Sequence, residues 1–195
     1  GSYEWNTGST DSSIEVSPSS TTTFSVTVTN SENCDSSTNF EVTVNELPAV
    51  SISGDNGICV GESTILTASG GGSYEWSTGS TDSNIEVTPI ITTVYNVTVT
   101  SDEGCTSSMT YEVIVHDLPI ALIEGSDIVC VGQSTELTAT GGITFLWSNG
   151  ETSQDLMDLC SGNYNVTVTD INGCTFVSGE YTVLKLITFE IRCPK

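Results

Sequence analysis

Apolar and polar residues alternate along this chain in short runs. Tyr95, Val97 and Val99 fall on one side of such a run, with Asn96 and Thr98 on the other. Tyr111, Val113 and Val115 do the same around Glu112, and Tyr74 and Trp76 share a face opposite Glu75. A period of two marks strands with one buried face. The middle of the chain therefore predicts strands at 50–53, 63–68, 73–76, 84–89, 94–100 and 109–115. The turn sequences GDNG (54–57), GGG (70–72) and DEG (102–104) separate them. Six or seven short strands in about 70 residues is the pattern of a small β-sandwich. Trp76 and Trp147 are expected in the cores of such sandwiches rather than on an exposed aromatic platform for sugars.

The pattern repeats. GSYEWNTGST (1–10) returns as GSYEWSTGST (72–81), an offset of 71. The same offset relates Cys34 to Cys105 and Pro48 to Pro119, then Trp76 to Trp147 and Cys59 to Cys130. Self-similarity at this period marks a tandem array. The expected organisation is a partial repeat at 1–46 lacking its opening strands, β-sandwich repeats at 47–117 and 118–185, and a basic, β-prone tail at 186–195. NELP (45–48) and HDLP (116–119) mark the joints. Joints this short and proline-stiffened predict an extended rod. The fold class is all-β, a series of small sandwiches.

Charge narrows the function. The chain of 195 residues carries 25 acidic and 3 basic side chains, a net charge of -22. The basic residues are Lys185, Arg192 and Lys195, so residues 1–184 hold no lysine or arginine. That stretch cannot track a nucleic-acid backbone or dock on an anionic membrane through a polybasic patch. It has no phosphate-binding lysine and no arginine clamp. No run of apolar residues is long enough for direct insertion into a membrane. Disorder is opposed by the 36% hydrophobic content and its strict alternation. No catalytic or cofactor-binding set emerges. His116 is the only histidine and falls in an expected linker, and no pair of carboxylates stands apart as an acid/base couple.

The seven cysteines are Cys34, Cys59, Cys105, Cys130, Cys160, Cys174 and Cys193. None has zinc-site spacing, and an acidic, Ser/Thr-rich exterior suits an oxidising compartment. Two disulfide schemes stand. Pairing within repeats gives Cys59–Cys105 and Cys130–Cys174. It meets an objection in an Ig-like topology, where a strand of roughly 20 Å separates the two ends while bridged Cα atoms lie about 5.5–6 Å apart. A staggered scheme gives Cys59–Cys174 and Cys130–Cys160, and it accounts for Cys160. Asp55, Asp102 and Glu103 are weak calcium candidates, because Asp in turns is ordinary and no ordered ligand run is present. Asn96 and Asn165 each begin an N-x-T sequon on an outward strand position that the repeat prescribes anyway.

The motifs ICVGESTILTASGG (58–71), YEWSTGST (74–81), TTVYNVTVTSDEGC (92–105) and YEVIVHDLP (111–119) resemble the Ig-like/PKD-like repeats of very large Bacteroidota cell-surface proteins. TGGITFLWSNGETS (140–153) and LCSGNYNVTVTDINGC (159–174) resemble the repeats of SprB-type gliding-motility adhesins. The likeness covers about residues 1–184 and brings no catalytic residues. It implies type IX secretion, an extracellular cell-surface location, and a role as a stalk or adhesin segment that spaces or presents a binding tip. No C-terminal sorting domain is visible, so an internal portion of a longer protein is expected. Partners are then neighbouring repeats of the same or an identical chain, with a surface polysaccharide or protein as a further candidate. The alternatives are a subunit of a filament assembled by strand complementation, with the basic tail as donor, and a ligand-binding module. Near-identical loops in the first two copies favour a spacer.

Overall fold

A computed structural model describes residues 1–186. The tail at 186–195, offered above as a strand donor, lies outside the described residues apart from Leu186. The described chain is all-β, with no helix. Its strands are β1 (Ser2–Trp5), β2 (Thr22–Thr29), β3 (Asp35–Val42), β4 (Ser51–Ser53), β5 (Gly57–Cys59), β6 (Thr64–Ser69), β7 (Ser73–Trp76), β8 (Asn84–Val87), β9 (Thr93–Thr100) and β10 (Thr106–His116). The last repeat adds β11 (Leu122–Gly125), β12 (Ile128–Cys130), β13 (Thr135–Thr140), β14 (Thr144–Trp147), β15 (Asp155–Leu159), β16 (Gly162–Tyr164), β17 (Val166–Thr169), β18 (Thr175–Val177) and β19 (Tyr181–Leu186).

The last repeat is a β-sandwich. One layer is the sheet β11-β13-β15; the strands β12-β19-β16 and β14-β17-β18 form the facing layer. Leu137, Ala139, Leu156 and Leu159 of the first layer pack with Val129, Trp147, Val166, Val168 and Val183 of the second. Trp147 is 2% exposed, and its indole N–H donates to the Ser153 carbonyl at 2.9 Å. Burial of so large a side chain requires that its polar atom find a partner.

The middle repeat follows the same plan, with sheets ordered β4-β6-β8 and β5-β10-β9-β7. Trp76 is also 2% exposed and donates to the Asp82 carbonyl at 2.9 Å. Tyr95, Val97 and Val99 are buried, whereas Asn96 and Thr98 are half-buried. β5 was not legible as a strand. It runs parallel to β10, with Gly57 opposite Ile114 and Cys59 opposite His116. His116 is therefore the last residue of a strand and not part of a linker, because β5 pairs alongside and extends the ladder to it. The first, partial repeat is a single sheet, β1-β2-β3.

Contacts divide the chain into two compact units. One holds residues 1–52, 68–83 and 96–109; the other holds 53–67, 84–95 and 110 onward. Residues of the middle repeat thus fall in both.

Candidate functional site: the repeat cysteines and their turns

Two kinds of turn carry the cysteines. In the first, Cys59 and Cys130 open the turns CVGE and CVGQ. Glu62 N–H donates to the Cys59 carbonyl and Gln133 N–H to the Cys130 carbonyl, both at 3.0 Å. Gly61 and Gly132 take positive φ of 91° and 78°, which these closures require. Glu62 also accepts from the Cys59 N–H at 3.0 Å.

The second kind is a hairpin turn, found between β2 and β3, between β9 and β10, and between β17 and β18. Asn30, Ser101 and Asp170 donate their main-chain N–H to the carbonyls of Cys34, Cys105 and Cys174 at 3.0, 2.8 and 2.9 Å. Their side-chain oxygens accept from the same three cysteine N–H groups, at 2.9, 3.3 and 2.8 Å. A short oxygen-bearing side chain at the first position is what lets each turn close on itself. The three turns are equivalent; their cysteines are not. Cys174 is fully buried, Cys105 half-buried and Cys34 exposed.

Cys59 is bonded to Cys174, with Cα atoms 5.6 Å apart and a separation of 115 positions in sequence. The bridge joins the opening turn of the middle repeat to the hairpin turn of the last. The within-repeat pairs Cys59–Cys105 and Cys130–Cys174 are not formed. Cys105 and Cys59 flank opposite ends of β10, an 11-residue strand, and such a strand spans roughly 35 Å. Cys174 is already taken by Cys59.

The bridge Cys130–Cys160 is not formed either. Cys130 is itself disulfide-bonded and Cys160 is a free, exposed thiol. A sulfur makes one S–S bond. Cys160 follows an irregular strand: Thr135 pairs with Leu159 but Leu137 with Leu156, and Asp158 takes a φ of 55°. Cys160 and Cys130 still line one cleft of about 320 Å³, together with Lys185. Cys34 and Cys105 are free thiols.

The acidic candidates lie in separate turns. Asp55 follows β4, and its N–H donates to Thr64 Oγ1 at 3.2 Å. Asp102 and Glu103 lie in the β9–β10 turn, where the Asp102 carboxylate fills the space a side chain at Gly72 would take. Among the described residues no group of three or more His, Cys, Asp or Glu is placed to hold a metal. The sequon residues Asn96 and Asn165 are half-buried, and their carbonyls accept from Ser77 and Ser148 N–H at 2.8 and 2.9 Å.

No family model and no curated protein matches the sequence. Among solved structures the chain is similar to murine CEACAM1b, at 12% identity over 70% of this chain and 100% of that one, with a TM-score of 0.34. It is similar to fibronectin(III)-like modules of CbhA from Clostridium thermocellum, at 14% identity over 75% of this chain and 99% of that one, with a TM-score of 0.37. It is also similar to a Ca2+-stabilized adhesin that helps an Antarctic bacterium bind ice, at 16% identity over 84% of this chain and 57% of that one, with a TM-score of 0.38. Scores this low do not map one fold onto another, so the β-sandwich architecture rests on the strand pairing and core described above.

Proposed function

We propose that this chain is a non-enzymatic segment of an extracellular stalk or adhesin, in which tandem β-sandwich repeats space or present a binding tip. The observation that carries this reading is the Cys59–Cys174 bridge between successive repeats. A disulfide between repeats ties two neighbours covalently, besides burying its own two sulfurs. It resists separation of neighbours, which is the demand on a load-bearing array outside the cell. The likeness of the motifs to Bacteroidota surface repeats extends the reading to type IX export and gliding adhesins, and that extension rests on the motifs alone. A surface polysaccharide or protein would be the ligand of the tip.

Pulling on the two ends of a single oxidised chain tests the mechanical role. The bridge spans a separation of 115 positions in sequence, so the oxidised chain should extend about 400 Å less than the reduced one. Equal extension in both states would sink the load-bearing reading. Surface display is tested on intact cells of the source with an antibody against the chain; staining only after lysis would overturn it.

A further inference from the structure

Five isoleucines gather at the joint between the middle and last repeats. Ile90 and Ile91 lie in the loop that leads from β8 into β9; Ile120 precedes β11, Ile143 precedes β14, and Ile171 lies in the β17–β18 hairpin turn. All five are between 64% and 83% exposed. Single exposed aliphatic side chains are ordinary, but here the repeat supplies a comparison. The first repeat carries Ser19 and Ser20 at the positions of Ile90 and Ile91. The middle repeat carries Ala49, Gly72 and Asp102 at the positions of Ile120, Ile143 and Ile171. Isoleucine thus stands on both sides of one joint, at positions where the other copies accept small or polar residues.

Strand pairing locates the two sets. All five residues belong to one compact unit, together with Cys59 and Cys174. Val87 pairs with Thr64, and Val115 N–H donates to Thr92 Oγ1 at 3.1 Å, so the loop from β8 to β9 lies at the same end as Cys59. Ile143 N–H donates to the Thr169 carbonyl at 2.8 Å, and a Cβ on Gly141 would meet the Ile120 carbonyl, so the other three lie at the end that carries Cys174. The bridge joins the ends of β5 and β18, an edge strand in each sheet. Inward from it come β10 then β9 in one sheet, and β17 then β14 in the other. Ile90 and Ile91 lead into the third strand on one side and Ile143 into the third on the other, each roughly 10 Å from the bridge. Residues 117–121, between β10 and β11, are a second covalent tie across the joint. Two bodies held at two points turn only about the line through them.

We propose that Ile90 and Ile91 close against Ile120, Ile143 and Ile171, with the bridge and the linker as the hinge line. The exposed arrangement is the open position of this hinge. Closure removes five branched apolar side chains from water at once. The two ties leave little freedom to lose on closing. They also hold the two sets at a high effective concentration, so the contact within the chain outcompetes one with a second copy. The joint between the middle and last repeats is then stiff. A joint with Ser19 and Ser20 on one side, and Ala49, Gly72 and Asp102 on the other, has no such apolar drive. The proposal rests on the reading of the chain as a load-bearing array, and it gives that array joints of unequal stiffness.

Hydroxyl-radical footprinting of the oxidised full chain, read by mass spectrometry at each isoleucine, tests the closure. Ile65, in β6 and 56% exposed, is the internal reference. The five joint isoleucines are more exposed than Ile65 in the open position, yet should be labelled at least about threefold more slowly than it. Ile90→Ser with Ile91→Ser should restore the labelling of Ile143 and Ile171. Ile143→Gly with Ile171→Asp should restore that of Ile90 and Ile91. These are the residues the other copies carry, and near-ultraviolet circular dichroism checks that each variant is folded. Labelling that simply follows exposure, or protection on one side that survives the changes on the other, would overturn the closure. Protection that grows with chain concentration would also overturn it, because a second copy would then be the cover. A chain that fails here but still extends less when oxidised loses the stiff joint and keeps the load-bearing role, so the two readings fail separately.

Discussion

The hydroxyl of Tyr111 donates to the carbonyl of Gly54 at 2.6 Å across 57 residues of sequence. The last repeat makes the same tie, from Tyr181 to Gly125 at 2.7 Å. Each fastens the last described strand of a repeat, β10 or β19, to the end of its first strand. Tyr111→Phe should lower stability by about 1 kcal/mol, read as a shift of the urea midpoint without a change of slope. Tyr181→Phe should do the same. No shift in either variant would mean that solvent replaces the bond at no cost.

The Cys59–Cys174 bridge should contribute about 2–5 kcal/mol, since it restricts a long loop in the unfolded chain. Reduction, or the double change Cys59→Ser with Cys174→Ser, should lower the unfolding midpoint of the last repeat by that amount. Cys34→Ser should leave the midpoint unchanged, because its thiol is free and exposed.

Gly141 takes a φ of 105°, and a Cβ there would run into the carbonyl of Ile120. Both the backbone conformation and the space exclude a side chain. Gly141→Ala should therefore cost more than about 2 kcal/mol. Gly150→Ala is the control, with a similar φ of 90° but open space around it, and should cost roughly 1 kcal/mol.

Trp5, Trp76 and Trp147 share one motif and one hydrogen bond but not one environment. Trp147→Ala should cost about 3–5 kcal/mol, and Trp5→Ala clearly less. Iodide should quench Trp5 fluorescence and leave Trp76 and Trp147 nearly untouched, which single-Trp variants would show.

Burial pushes the Tyr95 hydroxyl above its ordinary value of 10.0. The folded chain therefore holds this proton more tightly than the unfolded one. Its contribution to stability is complete below pH 10.0 and falls as pH rises through the higher folded value. Tyr95→Phe should flatten the loss of stability on the alkaline side. An unchanged alkaline slope would show that other tyrosines dominate it.

The strands legible from alternation are the ones with a buried face: Tyr95, Val97 and Val99 in β9, and Leu66 and Ala68 in β6. The core positions of Trp76 and Trp147 were legible because each recurs with the repeat on the inward face of its strand. β5 was not, because three residues are too few to show a period and its partner β10 lies far along the sequence. The tyrosine ties were missed for the same reason: nothing local marks Gly54 or Gly125 as an acceptor. The cysteine turns were visible as repeated motifs, but equivalent turns hold a bonded, a half-buried and an exposed cysteine.

The sequence by itself determined the all-β class, the repeat of 71 residues, the inward positions of each strand and the lack of lysine and arginine before residue 185. These follow from local pattern, since alternation fixes which side of a strand meets the core. Only the tertiary structure decided which sulfurs meet and which segments become strands. Asn84–Val87 is β8 while the nearly identical residues 13–16 are not. A strand is completed by hydrogen bonds to another segment, as β8 is by β6 in the middle repeat.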